Sequence, residues 1–334
     1  ADVDYVGFDE YRRMKLRCNP EPGDILISCS GNGFGRVAVV PENLECVLVR
    51  SAAPVKLDGR LVNSRFIQFW LQGANAQAQI SNSVSRAAQP NLFINSIEKL
   101  RCPLPPTVSE QRAIAEALSD VDALLGSLDK LIAKKRDLKQ AAMQQLLTGQ
   151  TRLPGFDGEW DVKTVGEVAA ISKGIQLHSS ETNPEGNYPH FNGGISPSSY
   201  TYKSNTAGNT IAISEGGNSC GYVQFIPKPF WCGGHCYSLV QKSIENQFLY
   251  HALKGRQTAI MGLRVGSGLP NVQKTALALF KLNMPVERAE QIAIAEVLSD
   301  MEAGLAVLEQ RRAKTHALKQ GMMQELLTGK TRLL

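Results

Sequence analysis

EQRAIAEALSDVDALLGSLDKLIAKKRDLKQAAMQQLLTGQTRL (Glu110–Leu153) returns 180 residues later as EQIAIAEVLSDMEAGLAVLEQRRAKTHALKQGMMQELLTGKTRL (Glu290–Leu333), without a gap and with 26 of 44 positions identical. Chance does not produce a match of that length, so the chain carries an internal repeat. The same offset pairs Pro90-Asn91 with Pro270-Asn271 and Pro105 with Pro285. Further upstream GDILIS (Gly23–Ser28) resembles GNTIAIS (Gly208–Ser214). Each run leads into a glycine-rich turn, Gly31-Asn32 before Gly35 or Gly217-Asn218 before Gly221. The offset is far too long for a solenoid. The chain is a duplicated unit, a variable domain followed by a repeated segment.

The repeated segment reads as one long helix. Thr107 and Glu110 have the spacing of a capping box, Pro105 and Pro106 stand just outside its start, and Gly149 and Gly329 are placed to end it in the left-handed conformation. Between these limits the apolar residues follow a heptad. Ile114, Val121 and Leu128 take one seam position, and Leu118, Leu125, Ile132 and Leu146 the other. The second copy has Ile294, Met301, Leu308 and Met322 with Leu298, Leu305 and Leu326. Such a seam needs a partner helix, and the other copy is the simplest one. A helix of this length spans roughly 58 Å. Lys139 and Lys319 fall on the seam in both copies, Lys135 and Arg312 in one each. A buried lysine is costly, so these ends are expected to be wet or to face another protein.

Strand-like runs with turn signals dominate the variable units. Asp24–Ser28, Arg36–Val40 and Cys46–Arg50 suit strands in the first, Thr210–Ser214, Tyr222–Ile226 and Tyr237–Gln241 in the second. Helical candidates follow at Ser64–Gly73 and Asn246–Gly255. The expected fold is α+β (mixed α/β): two globular domains with small curved sheets, separated by two long antiparallel coiled-coil helices in a pseudo-twofold arrangement. The boundaries read as a first domain over 1–106, a spacer helix over 107–149, a second domain over 150–286, a second spacer helix over 287–329 and a tail over 330–334.

Composition narrows the function classes. The 334 residues are 43% hydrophobic and 20% charged, which is globular and, at roughly 150 residues per domain, suits two domains. The formal charge of +5 permits contact with a polyanion without establishing it. No apolar run approaches a membrane span, and the acid-rich Ala1–Glu10 is no signal peptide. Seven scattered cysteines do not make a disulfide framework. A cytoplasmic protein is expected.

Catalytic patterns are missing from the sequence. There is no GxxxxGK[ST], no HExxH, and no Asn-Pro-Pro-aromatic or Asp-Pro-Pro-aromatic tetrapeptide. Gly31–Gly35 lacks GxGxxG spacing and reads as a turn. Cys220, Cys232, His235 and Cys236 raise a zinc site, but the spacing has no second pair. Cys232 and Cys236 fit better as small core residues on one face of a strand. His178, His190 and His251 have no nucleophile paired with them in sequence. No catalytic, cofactor or metal residue is assigned.

PLPPTVSEQRAIAEALSDVDALL, LKQAAMQQLLTGQTRLPGF with its second-copy partner, WDVKTVGEVAAISKG (Trp160–Gly174) and the GDILIS strand-turn resemble the DNA specificity (S) subunits of type I restriction-modification systems. The likeness covers essentially the whole chain, and the duplicated order of domain and helix is its most specific part. It implies two target recognition domains, each reading half of a bipartite sequence in double-stranded DNA. The helices would be a ruler between them and a dock for two modification (methyltransferase) subunits, with restriction/translocase subunits added. S-adenosylmethionine, ATP and Mg2+ would be used by those partners, not by this chain. Half-sites one helical turn apart are separated by about 34 Å. No counterpart of Trp160–Gly174 precedes the first domain, which is shorter than the second by about 27 residues, so the start of the first recognition domain is expected to be missing.

Arg commonly reads guanine, and Asn or Gln adenine. Loop candidates are Asn32, Arg36, Arg86 and Gln89 in the first unit, and Gln176, His178, Asn192, Asn218 and Arg264 in the second. Arg12, Arg13, Lys15 and Arg17 suit phosphate contacts, which fix position without reading sequence. Asn32 and Asn218 are kept in both copies and so also fit a role in the turn itself. Two other functions remain open: a coiled-coil adaptor that never touches DNA, and the recognition portion of a fused methyltransferase-nuclease.

Overall fold

A computed structural model describes residues 5–83, 91–266 and 268–333. The chain divides into two units, Ala1–Lys130 with Glu309–Leu334, and Leu131–Leu308. Two 39-residue helices, α5 and α10 below, each contribute one part to either unit.

In the first unit the elements are α1 (Phe8–Arg17), β1 (Ile25–Ser28), β2 (Val37–Val39), β3 (Ala52–Val55), α2 (Ser64–Gln72), α3 (Ala74–Asn82), α4 (Ile94–Ile97) and the start of α5 (Val108–Leu146). The sheet order is β2-β1-β3, all antiparallel. The strand expected at Cys46–Arg50 forms instead at Ala52–Val55, where four residues pair with all of β1. Strand periodicity sends Ile25 and Ile27 into the core. They meet Phe66, Ile67, Trp70 and Leu71 of α2, whose spacing lays one apolar stripe along the helix. Each such large side chain contributes about 1.5–3 kcal/mol by its burial. Asn63 starts α2 by accepting the Phe66 N–H at 3.0 Å.

The second unit holds β4 (Trp160–Thr164), α6 (Val165–Val168), β5 (Ala169–Lys173), β6 (Tyr188–Phe191), β7 (Ser199–Thr201), β8 (Thr210–Ser214), β9 (Val223–Ile226), β10 (Trp231–Cys232) and β11 (Cys236–Gln241). Then come α7 (Asn246–Gly255), α8 (Gln257–Met261), β12 (Arg264–Val265), β13 (Asn271–Val272), α9 (Lys274–Ala278), β14 (Lys281–Pro285) and the start of α10 (Arg288–Leu326). Its main sheet runs β5-β11-β8-β9 and a second sheet runs β10-β6-β7. All of β8 is buried because both its faces are covered. Ile211 and Ile213 pack toward α7, while Ala212 joins Phe191, Phe230, Cys232 and Cys236 on the other side.

That second cluster corrects the placement of the cysteines. Cys232 closes β10 and Cys236 opens β11, so they sit on strands of different sheets with a turn between. Both are buried, with Cys232 Sγ 3.5 Å from the Cys236 carbonyl oxygen. The neighbouring Cys232 and burial together hold the Cys236 thiol far above its ordinary range. Among the described residues no group of three or more His, Cys, Asp and Glu is placed to hold a metal ion. No helix among them is long and apolar enough to cross a membrane.

Within each unit α5 and α10 run antiparallel. In the first unit Asp122 pairs with Lys319 at 2.6 Å, Asp129 with Arg312, and Glu110 with Arg332 through two contacts of 2.5 and 2.6 Å. Residue numbers rise on one strand of contacts and fall on the other. In the second unit Lys139 pairs with Glu302 at 3.3 Å, and Glu290 takes two bonds of 2.6 Å from Arg152, just beyond α5. Lys319–Asp122 and Lys139–Glu302 are the same pair in the two copies, as are Arg332–Glu110 and Arg152–Glu290.

These pairs overturn the expectation of a wet seam at Lys139 and Lys319 alone. The Lys139 and Lys319 side chains are only 16% and 13% exposed. Each is neutralised by an acid of the opposing helix, and Lys319 also lies 5.2 Å from the Phe69 ring centre. Lys135 is exposed, and Arg312 is tied to Asp129. The capping box is half formed: Thr107 accepts the Glu110 N–H at 3.2 Å, but the Glu110 carboxylate is taken by Arg332. Ile114, Leu118, Leu125, Leu128, Ile132, Ile294 and Leu298 are buried, whereas Val121, Met301, Leu305 and Leu308 are half-buried. Near the helix ends Met143 and Met323 are more buried than the heptad residues Ala142 and Met322. There each helix packs on its globular domain as well as on its partner helix, and the buried stripe widens.

Candidate nucleic-acid interface

The repeated segment fastens each domain in the same way. Gln111 accepts the Asn63 N–H at 2.8 Å and donates to the Pro105 carbonyl at 3.2 Å. Gln291 does the same with the Glu245 N–H and the Pro285 carbonyl, both at 2.8 Å. Glu245 in turn caps α7 by accepting the Phe248 N–H, as Asn63 caps α2. At the far end of each long helix lies a groove against the domain helix. In the second unit it encloses about 310 Å³ and is lined by Gln140, Met143, Gln144, Leu147, Thr148, Ala252 and Gly255. In the first it encloses about 220 Å³, lined by Gln320, Met323, Gln324, Leu327, Thr328, Trp70 and Gly73. The five positions that each helix segment contributes carry the same residues in both copies.

Away from the helices the two domains share a loop frame with different side chains. In the first, Ser28 O accepts the Gly35 N–H at 2.9 Å, Ser51 O accepts the Cys29 N–H at 2.6 Å, and Cys29 O accepts the Leu92 N–H at 2.8 Å. In the second, Ser214 O accepts the Gly221 N–H at 2.7 Å, His235 O accepts the Glu215 N–H at 2.9 Å, and Glu215 O accepts the Val272 N–H at 2.8 Å. Gly31 and Gly217 have φ of 77° and 78°, and Gly35 and Gly221 have 74° and 85°, conformations that favour glycine at those turns.

In the second unit this frame opens into a cleft of about 450 Å³ lined by Lys173, Asn192, Glu215, Gly216, Gly217, His235 and Leu269–Asn271. Five separate segments supply it. The Asn271 backbone bridges Gly216, and Gly217 donates its N–H to the Pro270 carbonyl at 3.0 Å. Glu215 is the polar centre. Its Oε1 accepts from Lys173 Nζ at 2.7 Å and from the Tyr237 hydroxyl at 3.0 Å. Its Oε2 lies 4.0 Å from His235 Nδ1 and has no hydrogen-bond donor. Burial and the Glu215 carboxylate push Tyr237 up to about 12, so it stays a donor. Leu269 is 85% exposed beside the cleft, an unusual position for a large apolar side chain.

Of the residues expected to read bases, Asn192 lines this cleft, its Oδ1 accepting the His235 N–H at 3.1 Å. Gln176 packs against the same turn, close to Gly234. Asn218 is exposed next to Gly217, and Arg264 is exposed on β12, paired with β13. His178 is exposed elsewhere, before a short 3-10 turn. In the first unit Asn32 lies in the Gly31–Gly33 turn and Arg36 is exposed at the start of β2. Arg86 and Gln89 lie outside the described residues. On α1, Arg12 covers the Phe8 ring at 4.4 Å, Arg13 pairs with Glu10 at 2.5 Å and Lys15 donates to the Tyr11 hydroxyl at 3.1 Å. Three of that cluster are thus engaged on their own helix, while Arg17 is exposed. Lys173 and Glu215 were not singled out from the sequence, His235 entered only through the zinc pattern that was set aside, and Asn271 only through the repeat. The repeat itself was the available signal, since Glu215 and His235 stand where the first copy has Cys29 and Ser51.

Comparison with known proteins places the fold. A putative type I specificity subunit of Mycoplasma genitalium is 36% identical over 143 residues, 42% of this chain and 37% of that protein. A putative type I specificity subunit of Mycoplasma pneumoniae is 31% identical over 175 residues, 52% of this chain and 46% of that protein. The chain thus spans less than half the length of these two curated relatives. The specificity subunit of the Methanocaldococcus jannaschii type I restriction enzyme MjaVIII is 22% identical over 346 aligned positions, covering 93% of this chain and 79% of that protein. The crystal structure of the S subunit of a type I restriction-modification system from M. genitalium shares the fold, with a TM-score of 0.74, 22% identity and coverage of 92% and 84%. The family described as type I restriction modification DNA specificity domain matches residues 15–135 and 157–315. The chain belongs to that type I restriction-modification DNA specificity family.

Proposed function

We propose that this chain selects the DNA sequence on which a type I restriction-modification complex acts, reading a bipartite target with one recognition domain per half-site. One observation carries this reading: two domains share fastenings to their helices and a loop backbone, yet differ in the side chains that the loops present. Such a design suits a non-catalytic subunit whose scaffold is fixed and whose surface discriminates. Exposed loops on a rigid frame are where recognition usually resides.

The duplicated grooves at the helix ends support docking of two copies of one partner, the modification subunit, because the same five residues of the repeated segment line each. In this reading restriction/translocase subunits join the same assembly. S-adenosylmethionine, ATP and Mg2+ are handled by the partners. The Asn32, Arg36, Gln176, His178, Asn192, Asn218 and Arg264 side chains remain candidates for base contacts, and the α1 basic residues for phosphate.

The test is methylome mapping by long-read sequencing in cells carrying this chain with its modification subunits. A methylated motif of two specified halves around an unspecified gap is expected. Methylation without such a motif, or a motif unchanged when this chain is deleted, refutes the reading. Binding to mixed-sequence duplex should also weaken steeply with salt, as phosphate contacts demand. An adaptor that never touches DNA would show neither.

A further inference from the structure

The geometry points to the cleft around Glu215 as the place where the second domain reads a base pair. Lys173, Asn192 and His235 present hydrogen-bond donors to the acceptor edge of a guanine in the major groove. This rests on the DNA-reading function proposed above and adds the residues and the kind of base.

The donor inventory argues for guanine. Lys173 gives one of its three N–H bonds to Glu215 and keeps two, with its side chain 53% exposed. The Asn192 oxygen is taken by the His235 backbone N–H, leaving its NH2 group as the free function. The His235 ring is 61% exposed beside Glu215. The Glu215 carboxylate is mostly enclosed and already accepts two bonds, so it positions the donors and does not itself face a base. In the major groove guanine offers two acceptors, O6 and N7, whereas thymine offers one beside its methyl group and adenine and cytosine each present a donor. Three convergent donors match the edge with two acceptors and neither donor nor methyl group. Gly216 and Gly217 add no side chain to the cleft wall, which leaves room for a base edge.

The internal repeat supplies the second argument. Three backbone bonds of this corner recur in both domains, whereas Glu215 and His235 replace Cys29 and Ser51. A corner retained only for stability would need no such exchange of polar groups. A frame that must read two different half-sites needs that exchange.

The experiment enriches bound duplexes from a randomised pool with the full chain and its modification subunits, comparing the unaltered chain with Lys173→Met, His235→Ser and Glu215→Gln. Lys173 and His235 are half-exposed, so their variants keep the fold, which thermal melting checks. The unaltered chain should enrich a bipartite motif with a guanine in one half. Lys173→Met and His235→Ser should each lower the preference at that single position by roughly tenfold to a hundredfold, leaving the other half and the salt dependence unchanged. Glu215→Gln should have an intermediate effect at the same position. An identical motif from both surface variants overturns the cleft assignment and leaves DNA reading intact. A uniform loss at every position turns these residues into phosphate contacts and also overturns it. If the unaltered chain enriches no motif, the proposed function fails, and this assignment with it.

Discussion

His251 offers a test in which the protein carries its own control. It lies on α7, 1% exposed, with Nε2 2.9 Å from the Ser299 hydroxyl on α10, and its Nδ1 has no partner. Tyr250, Glu302 and Lys139 lie around it, and Lys254, three residues further along α7, faces the same two charges. Burial is the main influence and lowers its pKa to about 4; Glu302 opposes the shift and Lys139 adds to it. The unfolded chain binds this proton near pH 6.5. Between those values the unfolded state holds more protons, so stability falls as the pH falls. The linkage gives a loss of about 0.8 kcal/mol at pH 6, about 2 kcal/mol at pH 5 and about 3 kcal/mol once both states are protonated.

The matching position in the first unit is Phe69, 3% exposed on α2 and lying against Lys319, the counterpart of Lys139. There Ser119, the counterpart of Ser299, returns its hydroxyl to the Ala115 carbonyl at 2.7 Å. His251→Phe therefore imports a solution the molecule already uses, and should change stability near neutral pH by no more than about 1 kcal/mol. Hydrogen exchange by mass spectrometry, corrected for intrinsic rates, reads the two helices separately. Between pH 7.5 and 5, α7 should lose roughly thirtyfold in protection relative to α2. In His251→Phe that relative loss should vanish. An unchanged ratio in the native chain, or the same loss in the variant, refutes the assignment to His251.

Further expectations concern the helices. Four residues inserted after Lys130 and after Leu308 add about 6 Å to each helix, and methylome mapping should then show a gap longer by roughly one to two base pairs. An unchanged gap sinks the ruler. Gly149→Ala should cost more than Gly329→Ala in urea unfolding, although both have φ near 74°. The left-handed strain of about 1–2 kcal/mol is common to both, but at Gly149 the new methyl group would lie 3.2 Å from the Trp160 ring. Equal costs would show that the ring yields freely. Lys319→Met should be close to neutral, while Asp122→Ala should destabilise by about 1–3 kcal/mol, because it leaves an enclosed ammonium unpaired. The reverse order in thermal melts would show that the lysine is solvated after all.

Local signals made the scaffold legible. The heptad, the glycine stops and the runs of β1 and β8 all emerge from neighbours within a few residues of one another. Ala52–Val55 was missed because AAPV has weak strand propensity; its pairing with β1 decides its conformation. The seam lysines looked exposed because their acids, Glu302 and Asp122, stand far away in sequence on the opposite helix. Cys232 and Cys236 looked like one strand face until the turn between two sheets separated them. The cleft was hardest to foresee, since five segments contribute to it, Lys173 follows no motif and His235 stood only in a Cys/His pattern that pointed to a metal. Asn192, Asn218 and Arg264 were legible because they stand in or beside loop and turn stretches.

The division of the chain has a consequence for its synthesis. The second unit, Leu131–Leu308, is continuous, but the first needs residues 309–334. Met323, Leu326 and Leu327 belong to its core, against Phe66 and Trp70. On the ribosome, domains ordinarily fold in the order in which they emerge. Here the earlier unit must wait with part of its core uncovered until residues 309–334 arrive, while the later one can close first. The first unit therefore stays incompletely folded throughout the synthesis of the second. That interval is when chaperones and proteases would have access to it.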